Sequence, residues 1–293
     1  MQNPSRIIVL GMVRSGTSLA TKLVQQWGAY AGPEHDLFGD RYGYLEHLGL
    51  QKLNDELMDN NDRLPPSSNL LVERSQNSFY KAKAFDLLSM MDEQAVAHQA
   101  AAWVWKDPRL PMLLPFWANL WGDVIYVITV RHPVETILSG ANMDGIEVDN
   151  LPLSAGFVYW QYNMLGILSF TQNSRRKIFM AFDQLIGNPL QECTRLIRFL
   201  DEQCEKPRED AQQNGEALVS QVKAGEHHYH ESRSLAEVGQ ATREQRALYD
   251  FLRVKTIHPH EAFKEDDFAL YPGWREYLQA MDLLMSLTRT QEA

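Results

Sequence analysis

The chain has 293 residues, 44% of them hydrophobic and 23% charged, with a formal net charge of −10. That length buries a sizeable core in one large domain, or in one domain with an appended subdomain. The acidic balance excludes a nucleic-acid surface, which needs a basic face, but not a small anionic ligand held by a few local cations.

Residues 6–10 (RIIVL) form a short β-branched run ended by Gly11, which predicts a buried strand. The apolar run over 7–13 is short, is broken by glycine and ends at Arg14, so no secretory signal is expected. Gly11 and Gly16 then have the spacing of the phosphate-binding pattern G-x-x-x-x-G-K-[ST], yet Thr17 stands where that pattern has lysine. The nearest cation is Arg14. Leu19, Leu23, Val24 and Trp27 recur at helical spacing, and Gly28 closes that helix. A strand, a glycine turn and a helix start make an anion site, because the N–H groups of Gly16, Thr17 and Ser18 point outward at the positive end of the dipole. Arg14 and the hydroxyls of Ser15, Thr17 and Ser18 strengthen that reading over an ordinary β–α turn.

Further along, helical patterns cover 46–58, 79–98, 134–142, 153–171 and 190–203. Residues 104–106 and 177–182 predict short strands. Residues 123–130 (DVIYVITV) are apolar on both faces, as a central parallel strand should be. Strands alternating with helices predict a three-layer α/β fold, a central parallel sheet flanked by helices in the manner of P-loop NTPases. Beyond residue 206 the chain is charged and helical, so we expect a single domain: an α/β core over 1–205 and a helical C-terminal extension over 206–293. Tyr159, Trp160, Tyr162 and Phe170 lie at helical spacing and are expected in the core.

The strand at 123–130 delivers Arg131 to the carboxyl end of the sheet, where ligands of open α/β sheets bind. Pro133 suits a first helical turn. Ser139 follows on that helix, so Arg131 and Ser139 form a second small phosphate clamp. The cysteines, Cys193 and Cys204, would be about 16 Å apart along a helix, too far for a disulfide. A reducing compartment, the cytoplasm, follows. No stretch approaches the roughly 18 apolar residues of a membrane span.

Two anion sites on one parallel sheet describe a nucleotide with charged groups at both the 5′ and 3′ positions. The chain resembles the sulfotransferases that use 3′-phosphoadenosine 5′-phosphosulfate (PAPS). RSGTSL is similar to that family's 5′-phosphosulfate loop in the branch carrying Arg, and RHPVETILS to its 3′-phosphate motif. GDRYGYLEH, VWKDPRL and FDQLIGNPLQECTRLIRFL resemble further segments of bacterial members, with Phe182 and Asp183 where the family has Tyr-Glu. The resemblance spans roughly residues 5–233. It implies sulfonate transfer from PAPS to a hydroxyl or amine of a small-molecule, carbohydrate or lipid acceptor. Adenosine 3′,5′-bisphosphate (PAP) would be the product, and no metal is required.

The same resemblance implies roles for particular residues. Arg14, Ser15, Gly16, Thr17 and Ser18 would hold the 5′-phosphosulfate, and Arg131, Ser139 and Arg233 the 3′-phosphate. The absence of a γ-phosphate would explain why no Walker lysine is kept. Glu34 and His35, after the first helix, are the first candidates for the base, and Glu46, read as a helix-start carboxylate, is the third. Lys106 would stabilise the bridging oxygen. Asp107 and Arg109 are structural partners in the same turn. His227, His228 and His230 suit a closing loop better than a metal site. The competing readings are a P-loop kinase and a catalytically silent nucleotide-binding protein.

Overall fold

The computed structural model describes residues 3–34, 37–38, 46–59, 68–143, 153–205, 211–222, 240–257 and 279. β1 (Ser5–Leu10) leads through the glycine loop into α1 (Thr17–Trp27), which closes at the left-handed Gly28. β2 (Leu37–Phe38) and β3 (Glu46–His47) pair antiparallel and precede α2 (Leu48–Leu57), α3 (Ser68–Gln76) and α4 (Ser78–Ala97). Then follow β4 (Ala102–Lys106), α5 (Leu110–Trp117), β5 (Val124–Val130), α6 (Pro133–Met143), α7 (Leu153–Thr171) and β6 (Lys177–Ala181). The described chain ends with α8 (Phe182–Gly187), α9 (Pro189–Gln203), α10 (Ala211–Val219) and α11 (Arg243–Ile257).

The four predicted strands form one parallel sheet in the order β4-β1-β5-β6, and every residue of β5 is buried. Alternation along each strand divides the core between two faces. Ile8, Leu10, Trp105 and Ile128 face the layer that includes α2–α5, α7 and α11. Ile7, Val9, Val104 and Val127 face α1, α9 and α10. That is the expected three-layer arrangement. Some backbone groups on both edge strands are paired, which leaves fewer of them open to another chain. Tyr30 exchanges backbone hydrogen bonds with Ala102 and Val104 on the β4 side, and Arg195 donates to the Phe179 carbonyl (2.8 Å) on the β6 side.

Several local features differ from the sequence expectation. The helix predicted from residue 46 starts at Leu48, because Glu46 and His47 are drawn into β3. A side-chain attraction to a helix dipole is worth only about 0.3–1 kcal/mol, less than burial and pairing across the sheet can impose. α5 forms despite Pro111 and Pro115: seven of its eight residues are buried, and Pro111 sits in the first turn, where no N–H is needed. Phe170 is 39% exposed, whereas Trp160 and Tyr162 are in the core as expected.

Cys193 is buried and Cys204 half-buried, neither in a disulfide, and burial pushes the Cys193 thiol up to about 11. Among the described residues no helix is long and apolar enough to cross a membrane. Of the helical extension expected over 206–293, the structure describes residues 211–222, 240–257 and 279.

Candidate active site

The glycine loop joins β1 to α1 at the carboxyl end of the sheet. Two left-handed residues, Arg14 (φ 67°) and Gly16 (φ 98°), curl it back on itself. The first is a conformation that non-glycine residues adopt at a cost. The loop is pinned from beneath by Ser15, which is 2% exposed. The Ser15 hydroxyl donates to the Met12 carbonyl (2.6 Å) and meets the Thr129 hydroxyl at 2.7 Å, while its N–H also binds the Met12 carbonyl. Ser15 is therefore turned inward, holding the loop to β5. The N–H groups opening α1 at Thr17 and Ser18 belong to a first turn, which lacks intrahelical acceptors.

Gly11 is required by the same packing. A Cβ there would lie 2.1 Å from Thr129 Oγ1 and 2.6 Å from Ser15 Oγ. Gly11→Ala is expected to destabilise the protein by about 1–3 kcal/mol, the usual cost of overpacking a filled site, and to release the loop. Urea unfolding followed by circular dichroism measures it. An unchanged midpoint would mean that the loop shifts freely.

The second motif closes over this loop. Arg14 Nε donates to Ser139 Oγ (3.0 Å), and Arg131 Nη1 donates to the Arg14 carbonyl (3.1 Å). Arg131 Nε is paired with Glu135 at 2.9 Å, both residues buried. The Arg131 guanidinium stands 4.5 Å above the Phe182 ring. Phe182 also walls Gly16, where a Cβ would come within 2.6 Å of its Cδ2. The two anion motifs predicted separately thus meet in one cluster. Burial, foremost, depresses the Arg131 guanidinium below its usual value; Glu135 opposes this and the neighbouring Arg14 charge adds to it. Two guanidiniums and one carboxylate leave this cluster with excess positive charge, which an anion would relieve.

A third group lies on the neighbouring strand. Lys106 ends β4 in register with Val9, two residues before Gly11. Its ammonium is 2.6 Å from Glu46 Oε1, and both side chains are almost fully buried. Gln51, from the first turn of α2, reaches the other carboxylate oxygen at 3.4 Å. Burial raises Glu46 above the ordinary carboxylate range, with Lys106 as the main opposing influence. Beneath this pair, Asp107 binds Arg109 (2.7 Å) and Asn54 (2.8 Å), and Asn54 accepts from Trp117. That buried network fixes the turn after Lys106.

Of the other predicted residues, Thr17 is buried, Ser18 half-buried and Glu34 exposed. His35, His227, His228, His230 and Arg233 lie outside the described residues. Sequence reasoning missed Glu135 and the position of Phe182. The only local signal for Glu135 was its place four residues after Arg131.

A family model described as the sulfotransferase family matches residues 4–206. Among solved structures, the chain is similar to the sulfotransferase domain of the olefin synthase of Synechococcus PCC 7002, with 20% identity and a TM-score of 0.47 over 92% of this chain and 94% of that one. The sulfotransferase domain from the curacin biosynthetic pathway matches at 17% identity and a TM-score of 0.46, over 99% of each chain. A sulfotransferase from Mycobacterium avium matches at 16% identity and 0.41, over 96% of this chain and 77% of that one. No curated protein matches the chain.

Proposed function

From the premise that the chain belongs to the sulfotransferase family, we propose that it transfers a sulfonate from PAPS to a hydroxyl or amine of a small-molecule, carbohydrate or lipid acceptor in the cytoplasm. The observation that carries the donor assignment is the Arg14–Ser139 hydrogen bond, with Arg131 on the Arg14 carbonyl. It joins a helix-start anion site to a second cationic site, as a nucleotide with charge at both ends requires. Arg131 and Ser139 would hold the 3′-phosphate. Arg14 and the N–H groups of Thr17 and Ser18 would hold the 5′-phosphosulfate. Such preset donors stabilise the charge that grows on the leaving phosphate oxygen.

For the base, the geometry favours Glu46 over Glu34. Glu34 is exposed, whereas Glu46 is buried, raised and in contact with the cation proposed to act on the bridging oxygen. A carboxylate raised toward the working pH takes protons better than one in the ordinary range. In the proposed step the acceptor oxygen attacks sulfur and its proton passes to Glu46. The sulfur–oxygen bond to the 5′-phosphate breaks, with Lys106 donating to the departing oxygen. The products are the sulfated acceptor and PAP.

Calorimetry without added metal should show PAP binding in the micromolar range or better, about −8 kcal/mol. Heat with Mg·ATP and none with PAP would overturn the reading in favour of a kinase. Tight PAP binding with no turnover of PAPS on any acceptor would favour a silent nucleotide-binding protein.

A further inference from the structure

α11 docks against the two segments that build the nucleotide cluster. Its start is set by a reciprocal cap: Thr242 N–H donates to the Gln245 side chain (2.9 Å), and Gln245 N–H to the Thr242 hydroxyl (3.3 Å). Leu248 and Leu252 then sit one turn apart in the core that also holds Val130, Trp160 and Phe179. On the adjoining stripe, Tyr249 and Arg253 are again one turn apart. The Tyr249 ring meets the His132 ring edge-on, with centroids 5.1 Å apart. Arg253 forms an ion pair with Asp183 and is hydrogen-bonded to Tyr249.

Neither contact touches the anion site, yet each falls on the neighbour of a residue that does. His132 follows Arg131, and Asp183 follows Phe182. Arg131 and Phe182 are the pair stacked at 4.5 Å, and Phe182 walls the Gly16 turn. We propose that Tyr249 and Arg253 are positioning residues of the nucleotide site: α11 ties the strand-end turn at Arg131 to the segment at Phe182, so that guanidinium and ring are stacked before the nucleotide arrives. Binding of nucleotide and docking of α11 are then linked, and each strengthens the other. The inference rests on the nucleotide reading proposed above.

A merely structural role would give a different pattern. Arg253 and Asp183 are each about a third or more exposed, 32% and 43%, and exposed ion pairs add little to global stability. Loss of the pair should therefore be felt in affinity well before it is felt in unfolding. Arg253→Met and Asp183→Asn are each expected to weaken PAP binding by about 5- to 10-fold, at the low end of the usual range of coupling between sites. The double variant should lose no more than either single one. Arg253→Lys, which keeps a cation opposite Asp183, should recover most of the affinity. Hydrogen exchange gives the reciprocal measurement: saturating PAP should slow the amides of α11 in the wild type, and slow them less in Arg253→Met.

Failure of the wild type to bind PAP would remove the nucleotide reading itself. Wild-type binding with unchanged affinity in both single variants, and no ligand effect on α11 exchange, would overturn the positioning role alone. So would a loss of affinity that tracks a lowered melting temperature and is not recovered by Arg253→Lys.

Discussion

Replacing Glu46 with glutamine is expected to lower turnover by about 10²- to 10⁴-fold, the contribution of a positioned general base, while PAP affinity stays near that of the wild type. Glutamine keeps an oxygen within reach of the Lys106 ammonium, so the buried cation retains an acceptor and the loss of its counter-charge is partly offset. Lys106→Met is a harsher change. It would leave the Glu46 carboxylate buried beside Asp107 without its cation, and breaking a buried pair in this way costs about 3–5 kcal/mol. The pH dependence follows from the raised carboxyl. Only the ionised form accepts a proton, so the rising limb of kcat/KM should lie above the usual value of 4.5. For stability the sign is opposite. Between 4.5 and the raised value the folded protein binds more protons than the unfolded chain, so Glu46's contribution is fully present below 4.5 and is lost as pH rises through the folded value. Wild-type rates in Glu46→Gln, with a collapse in Glu34→Gln or His35→Asn, would move the base to the segment after α1.

Arg131→Ala is expected to weaken PAP by about 30-fold to several thousand-fold and to leave adenosine 5′-phosphosulfate much less affected. Truncating one partner of a buried, hydrogen-bonded charge pair costs roughly 2–5 kcal/mol, and each ~1.4 kcal/mol is a factor of ten. Only PAP carries the 3′-phosphate that Arg131 is proposed to grip. The variant also leaves Glu135 buried with its carboxylate facing the site, which adds repulsion against that phosphate. Calorimetric titration with both nucleotides measures the difference. Equal losses would mean that Arg131 works through its hydrogen bond to the Arg14 carbonyl, propping the glycine loop rather than holding the phosphate.

The sequence by itself determined the parts that depend on neighbours along the chain. The runs at 6–10, 104–106, 123–130 and 177–182 are apolar and β-branched or aromatic, and each became a strand of the parallel sheet. Gly11, Gly16 and the helix that follows announced an anion-binding turn, because a helix start exposes N–H groups wherever it occurs. Arg131 and Ser139 were legible through their spacing after a buried strand.

What only the tertiary structure decided are contacts between residues far apart in the chain. The order β4-β1-β5-β6 sets β1 beside both β4 and β5. It thereby brings Arg14 to Ser139, 125 residues away, and turns Ser15 onto Thr129 instead of outward. The pairing of Glu46 with Lys106, 60 residues away, likewise overrode the helix start that local charge suggested. No periodicity or propensity encodes such meetings. They exist because burying both faces of one sheet leaves few places for the connecting segments, and a buried charge must then find its partner there.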